Sequence, residues 1–339
     1  MKVGDGKTAW KDLPYVGNGQ SVELPENIMK FLGVVSELPE SAEDNTVCLM
    51  DNIVYIYSNN SWQVFHNNGS IDVIKIISDD SRTDGFEVNG VKYDNFSDAL
   101  NNAPAGSTII LQQNIDTLPI TAGKNVAIDL NNIKIVNNEG KIVEAAYDSF
   151  LILKGEGTLE CNKHGQAPVE NNGNTTIKGG NYQRSIDEKG NGYYVIVNHG
   201  NMTIDDGFFT SPGGLSSLIE NGYYNYSQGY VAGKNQSEPT LIINGGTFID
   251  MYTTIKNDDN GIATINGGSF YGSVFNVGKS LTINGGEITC TDGYGCVACN
   301  KSNENINKAD CIITGGKFIT NGDTIIMNSG NAHIEISGG

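Results

Sequence analysis

Arginine is nearly missing from this chain: Arg82 and Arg184 are the only two in 339 residues. Acidic residues outnumber basic ones 39 to 21, for a formal net charge of -18. Such a surface repels phosphate backbones, and two arginines cannot make a phosphate-reading face, so nucleic acid is excluded as a partner. Long apolar runs are missing too. No stretch reaches the length that spans a bilayer, and the opening "MKVGDGKTAW" lacks the apolar centre of a signal peptide, so neither membrane insertion nor export is expected. A bacterial surface adhesin, which would need that signal, is disfavoured on the same ground. Charged residues make up only 18% of the chain, yet hydrophobic residues reach 38%, too many for a disordered polymer. Six cysteines over this length point to free thiols in a reducing folding compartment. No cofactor is expected.

Helical periodicity is also scarce. One segment carries it clearly: Phe96, Ala99, Leu100 and Ala103 share a stripe, Asn95 can cap its start, and Pro104-Ala105-Gly106 stops it.

What the chain has in quantity is glycine, 43 residues, much of it in one phrase. "INGG" stands at Ile243–Gly246, Ile265–Gly268 and Ile283–Gly286, with "IKGG" at 177–180, "IDDG" at 204–207, "ITGG" at 313–316 and "ISGG" at 336–339. The last glycines are separated by 27, 39, 22, 18, 30 and 23 residues. A fixed phrase with elastic spacing is the signature of a solenoid whose loops vary. In "LTINGGEI", Leu281 and Ile283 share one strand face and Thr282 takes the other. The glycine pair turns a corner, because glycine accepts positive φ and presents no Cβ to the neighbouring layer. An apolar residue follows each corner: Phe248, Phe270, Ile288, Phe318. Ile243, Ile265 and Ile283 are then expected to stack as an internal ladder, with the helix at 96–103 as a lid over the first layer.

Three zones follow: residues 1–20; a small β module over 21–84, where Ile53, Tyr55 and Tyr57 alternate before the turn Asn59-Asn60; and a parallel β-solenoid over 85–339, whose open last layer is expected to be continued by further chain or covered by a partner.

The stretch "KVGDGKTAWKDLPYV", with Gly4, Asp5, Gly6, Thr8, Trp10, Leu13, Pro14 and Tyr15, resembles a motif near the N-termini of bacteriophage tail-fibre and receptor-binding proteins. Phe31–Phe65, through Leu38-Pro39, Tyr55 and Trp62, is similar to a second module of such fibres. "KYDNFSDALNNAPAGSTIIL" resembles the start of the right-handed β-helix of pectate-lyase-like proteins, phage tailspikes included. The resemblance implies an all-β protein, a right-handed parallel β-helix with small N-terminal β modules and one short capping helix. It implies a homotrimeric virion fibre on tail or head, attached to other virion proteins through Asp5, Trp10, Leu13, Pro14 and Tyr15. It further implies that the fibre contacts the host surface, a glycan in the main.

Some β-helix spikes cut polysaccharide, a reaction that needs two carboxylates at a set separation. Asp258-Asp259, Asp205-Asp206 and Glu220 are the candidates. Against catalysis, Asp258-Asp259 reads as a solvated turn, and Asp205-Asp206 as replacements for Asn and Gly at a corner. Arg184 is the one arginine in the coil that a lyase could use as base. Cys290, Cys296, Cys299 and Cys311 lie close together, and Cys296-Val-Ala-Cys299 is spaced like a metal pair. On a strand, however, i and i+3 face opposite sides, so the thiols read as small inward hydrophobes. His164, His199 and His333 have no ligand spacing. In the longest gap between corners, Tyr223, Tyr224, Tyr226 and Tyr230 can present flat faces to a sugar, or else pack the loop or a trimer contact.

Overall fold

The computed structural model describes residues 30–34, 42, 46–50, 53–58, 61–65, 85–184, 194–211, 217–222, 224–225, 229–230, 238–290, 295–300, 309–321, 324–329 and 332–339. The attachment motif at 1–20, with Asp5, Trp10, Leu13, Pro14 and Tyr15, lies outside them. The chain divides into two compact units, Met1–Arg82 and Thr83–Gly339.

In the first unit, Lys30–Val34 pairs in parallel with Thr46–Met50, which continues antiparallel into Ile53–Ser58 and Ser61–Phe65. Thr46 and Tyr57 are register partners and both are buried. Ile53, Tyr55 and Tyr57 sit in the strand Ile53–Ser58, which is paired antiparallel on both sides.

Among the described residues the second unit is all-β apart from one helix, and most of its strands belong to one 25-stranded, largely parallel sheet. It begins with an antiparallel hairpin, Phe86–Val88 against Val91–Tyr93, followed by the helix Phe96–Asn102. Asn95 caps the helix by accepting the Asp98 amide at 2.9 Å, and Phe96, Ala99 and Leu100 are its buried face. Phe96 meets Phe86 edge-on at 5.7 Å, and Lys124 donates to the Leu100 carbonyl at 2.8 Å, so the helix is held to the first strands. Among the described residues no helix is long and apolar enough to cross a membrane.

Three families of strands then recur in order along the chain, each strand pairing with its own family in the next layer. In the first family, Ile204, Ile243, Ile265, Ile283 and Ile313 are successive register partners, and all five are fully buried. The predicted aliphatic ladder is present. Burying each isoleucine contributes about 1.5–3 kcal/mol.

The glycine pair that follows does two separate jobs. The second glycine takes the left-handed conformation, with Gly268 at φ 103° and Gly286 at φ 92°. The first glycine is needed for close approach: a Cβ on Gly267 would lie 2.5 Å from the Asn244 carbonyl oxygen of the preceding layer. Beyond the corner, Tyr182, Phe209, Phe248 and Phe270 stack face to face at 5.0, 4.7 and 4.7 Å, and the column passes through Ile288 to Phe318.

In the third family the inward positions alternate aliphatic and amide. Ile196, Ile219, Ile255 and Val274 form one column, while Asn171, Asn198, Asn221, Asn257 and Asn276 form the other, all buried. Each amide nitrogen donates to the next Oδ1 at 2.7, 2.7, 2.7 and 2.8 Å. This parallel, in-register pairing is compatible with a solenoid.

Candidate functional site

The outward position between those two inward columns is where charge collects. The third-family strands read aliphatic, outward residue, asparagine: Val169-Glu170-Asn171, Ile196-Val197-Asn198, Ile219-Glu220-Asn221, Ile255-Lys256-Asn257 and Val274-Phe275-Asn276. Parallel pairing sets Glu220 directly against Lys256. Lys256 Nζ lies 3.3 Å from Glu220 Oε1 and 2.6 Å from Asp258 Oδ2. The Tyr194 ring lies beneath the same ammonium, its centroid 6.0 Å away, at the outer range of a cation–π contact.

Glu220 and Asp258 are almost wholly buried, whereas 18% of the Lys256 side chain remains exposed. Glu220 Oε2 is out of reach of solvent and accepts no hydrogen bond of good geometry. Burial pushes the Glu220 carboxyl up to about 8, and Asp258 adds to that against the pull of Lys256 and Tyr194. Burial opposes the Lys256 charge, yet Glu220, Tyr194 and Asp258 together hold its pKa above the ordinary lysine range. Burial, and then the Glu220 charge, raise the Tyr194 hydroxyl. The cluster thus gathers one ammonium and two buried carboxyl groups around Lys256.

Two expectations about carboxylates are settled differently. Asp258-Asp259 is not a solvated turn: both residues are buried. The Asp258 amide donates to the Asn221 carbonyl at 2.8 Å, and Asp258 Oδ1 accepts the Asp259 amide at 2.7 Å, so the turn folds against the layer beside it. Asp205 and Asp206 are exposed at a corner, as expected, and Asp205 Oδ1 takes an asparagine's role by accepting from Asn244 at 2.8 Å.

Arg184 is buried and donates to the carbonyls of Gln166 and Lys163, which makes it a brace for that loop. His199 is buried with Nδ1 3.3 Å from Asn172 Oδ1, and burial lowers its pKa.

All four clustered cysteines are buried and none is in a disulfide. The expectation that Cys296 and Cys299 face opposite sides needs correction. Cys296 precedes the strand Val297–Asn300, so strand alternation does not govern it, and its Sγ approaches the carbonyls of Ile288 and Ile319 at 3.6 and 3.2 Å. Cys299 takes a place in the asparagine column, opposite Asn276. A hydrogen bond to Cys311, together with burial, raises the Cys299 thiol. Cys290 faces Ser273 Oγ at 3.4 Å. Among the described residues, no group of three or more His, Cys, Asp or Glu side chains is arranged to hold a metal.

Tyr224 and Tyr230 are cross-strand partners in a short antiparallel hairpin that begins just after Gly222, two residues beyond Glu220. Tyr223 and Tyr226 lie outside the described residues. Comparison with protein-family models, with curated proteins and with solved structures yields no match to this chain.

Proposed function

We propose that Thr83–Gly339 is a right-handed parallel β-helix and that the chain is a structural virion fibre of tail or head, a homotrimer that projects from a phage particle and binds a glycan of the host surface. One observation carries this reading: the same three strand families recur in parallel register, with an unbroken aliphatic and amide interior and short glycine corners. A repetitive column of that kind is stiff and holds loops away from its base, and loops on rigid scaffolds often carry binding. The N-terminal motif supplies the attachment, and the hairpin bearing Tyr224 and Tyr230 supplies one such loop. Immunogold electron microscopy of intact particles tests the location: gold on tail or head fibres supports the reading, and unlabelled particles refute it. Sedimentation of the purified chain tests the trimer.

A second reading, a polysaccharide-degrading spike, is favoured by one feature. Burial pushes the Glu220 carboxyl up to about 8 in a cluster with the Asp258 carboxyl, and a carboxyl of raised pKa beside a second one is what general acid chemistry uses. Lys256 ties both carboxyls together and Glu220 Oε2 is closed to solvent, an arrangement suited to holding the layers. New reducing ends or unsaturated products from cell-wall or capsular glycans, lost in Glu220→Gln and Asp258→Asn, would establish the enzyme instead.

A further inference from the structure

The outward face of the first strand family carries a shallow groove of about 370 Å³ that crosses the strands from Asn125–Asp129 to Thr240–Ile243. In a chain of net charge -18, none of the side chains lining it is charged. On the same strands charge resumes beyond it, at Asp129, Lys154, Lys178, Asp205 and Asp206.

Two outward columns make its floor. In one, Asn174, Asn201 and Thr240 bond among themselves: Asn201 donates to Asn174 Oδ1 at 3.0 Å, and Thr240 donates to Asn201 Oδ1 at 2.8 Å. In the other, Ile152, Thr176, Thr203 and Ile242 are register partners, and the Thr176 and Thr203 hydroxyls make no side-chain hydrogen bond among the described residues. Phe150 stands at one end with half of its surface exposed, and Ile242 stands at the other. Unspent hydroxyls at the ~4.8 Å strand spacing, next to an exposed aromatic ring, form a repeating donor, acceptor and C–H-stacking surface.

We infer that this groove binds an extended, uncharged polyhydroxylated chain, a neutral glycan lying across the strands. The inference rests on the reading of this protein as a surface-binding fibre and adds a contact on the sheet face to the one at the tyrosine hairpin. A nucleic acid or acidic polymer would find no cation here, and a lipid surface would meet a hydroxyl- and amide-rich floor. Thr176 and Thr203 supply hydrogen bonds, while Phe150 supplies a stacking face for a sugar ring.

Affinity electrophoresis of the full chain through gels containing dextran, laminarin, galactomannan or polygalacturonate tests this. The expected result is retardation by at least one neutral polymer and none by polygalacturonate. The isosteric pair Thr176→Val/Thr203→Val and, separately, Phe150→Ala should each weaken that retardation about tenfold with thermal unfolding unchanged, and Tyr271→Ala, at an exposed ring outside the groove, should leave it intact. Retardation by none of the neutral polymers, retardation by polygalacturonate alone, or retardation equal in the groove variants and the parent overturns the inference. Unlabelled virions with glycan retardation still lost in the groove variants would refute the fibre and leave the groove standing.

Discussion

The side-chain amide of Asn221 donates to Asn257 Oδ1 at 2.7 Å, joining residues 36 apart in sequence, deep inside the protein. Asn257 in turn donates to Asn276 Oδ1 and to the carbonyls of Gly261 and Ser280, so one amide is shared among neighbouring layers. Buried amides are costly unless each partner is present, and here the next layer provides it.

Asn257→Ala would leave Asn221 and Asn276 each short of a partner. Stranding buried polar groups costs about 1–3 kcal/mol apiece. Thermal unfolding followed by circular dichroism should show a fall of about 4–24 °C, on the order of 2–4 °C per kcal/mol for a unit of this size. An unchanged melting temperature would mean that the ladder contributes nothing.

Glu220 sets a pH dependence. Its folded pKa, about 8, stands above the ordinary glutamate value of 4.5, so the folded state binds the proton more tightly than the unfolded chain. The stability contributed is complete below about pH 4.5 and is lost as pH rises through 8. His199, with its lowered pKa, works in the opposite sense: its contribution is present above 6.5 and is lost as pH falls through the lowered value. The comparison is therefore made against Glu220→Gln, which keeps His199. Scanning fluorimetry from pH 5 to 8.5 should show the parent losing melting temperature relative to Glu220→Gln as pH rises; parallel curves would contradict this.

At the corner, Gly267→Ala would press a methyl to 2.5 Å from the Asn244 carbonyl oxygen, a backbone atom that cannot swing aside as a flexible side chain would. A loss of about 2 kcal/mol or more is expected from urea unfolding. Gly140→Ala is the control, since a Cβ there meets nothing within 4 Å. Equal effects from the two would refute the close-approach account.

Phe248 lies between Phe209 and Phe270 at 4.7 Å from each. Phe248→Ala should cost about 3–5 kcal/mol, while Phe248→Leu should cost much less. Ile288, between Phe270 and Phe318 in the same column, shows that an aliphatic residue is accepted there. Equal losses in the two variants, measured by urea unfolding, would show that shape rather than volume governs the stack.

The glycine corners, the aliphatic ladder, the aromatic column and the capping helix were legible because each writes a regular local pattern: Ile243, Ile265 and Ile283 precede glycine pairs, and Phe248 and Phe270 follow them. The second repeated phrase was harder to read. Asn171, Asn198, Asn221, Asn257 and Asn276 each stand near a glycine and look like turn residues, and their burial depends on partners in other layers. Had "IEN" and "IKN" been aligned on their asparagines, Glu220 and Lys256 would have emerged as neighbours. Asp258 and Asp259 misled for a related reason: "NDDNG" has turn composition, but its amide and carboxylate bonds to Asn221 and Lys256 pull it inward. Cys296 misled because it precedes its strand.

Layer stacking is tested most directly by the distance between nitroxide labels on Ile152→Cys and Ile312→Cys. These outward positions are linked through Thr176, Thr203, Ile242, Thr264 and Thr282, six strand steps in all. Steps of ~4.8 Å predict a single narrow separation of about 29 Å, widened only by the label tethers. A peak well below about 20 Å, or a broad distribution without a maximum, would contradict the stack.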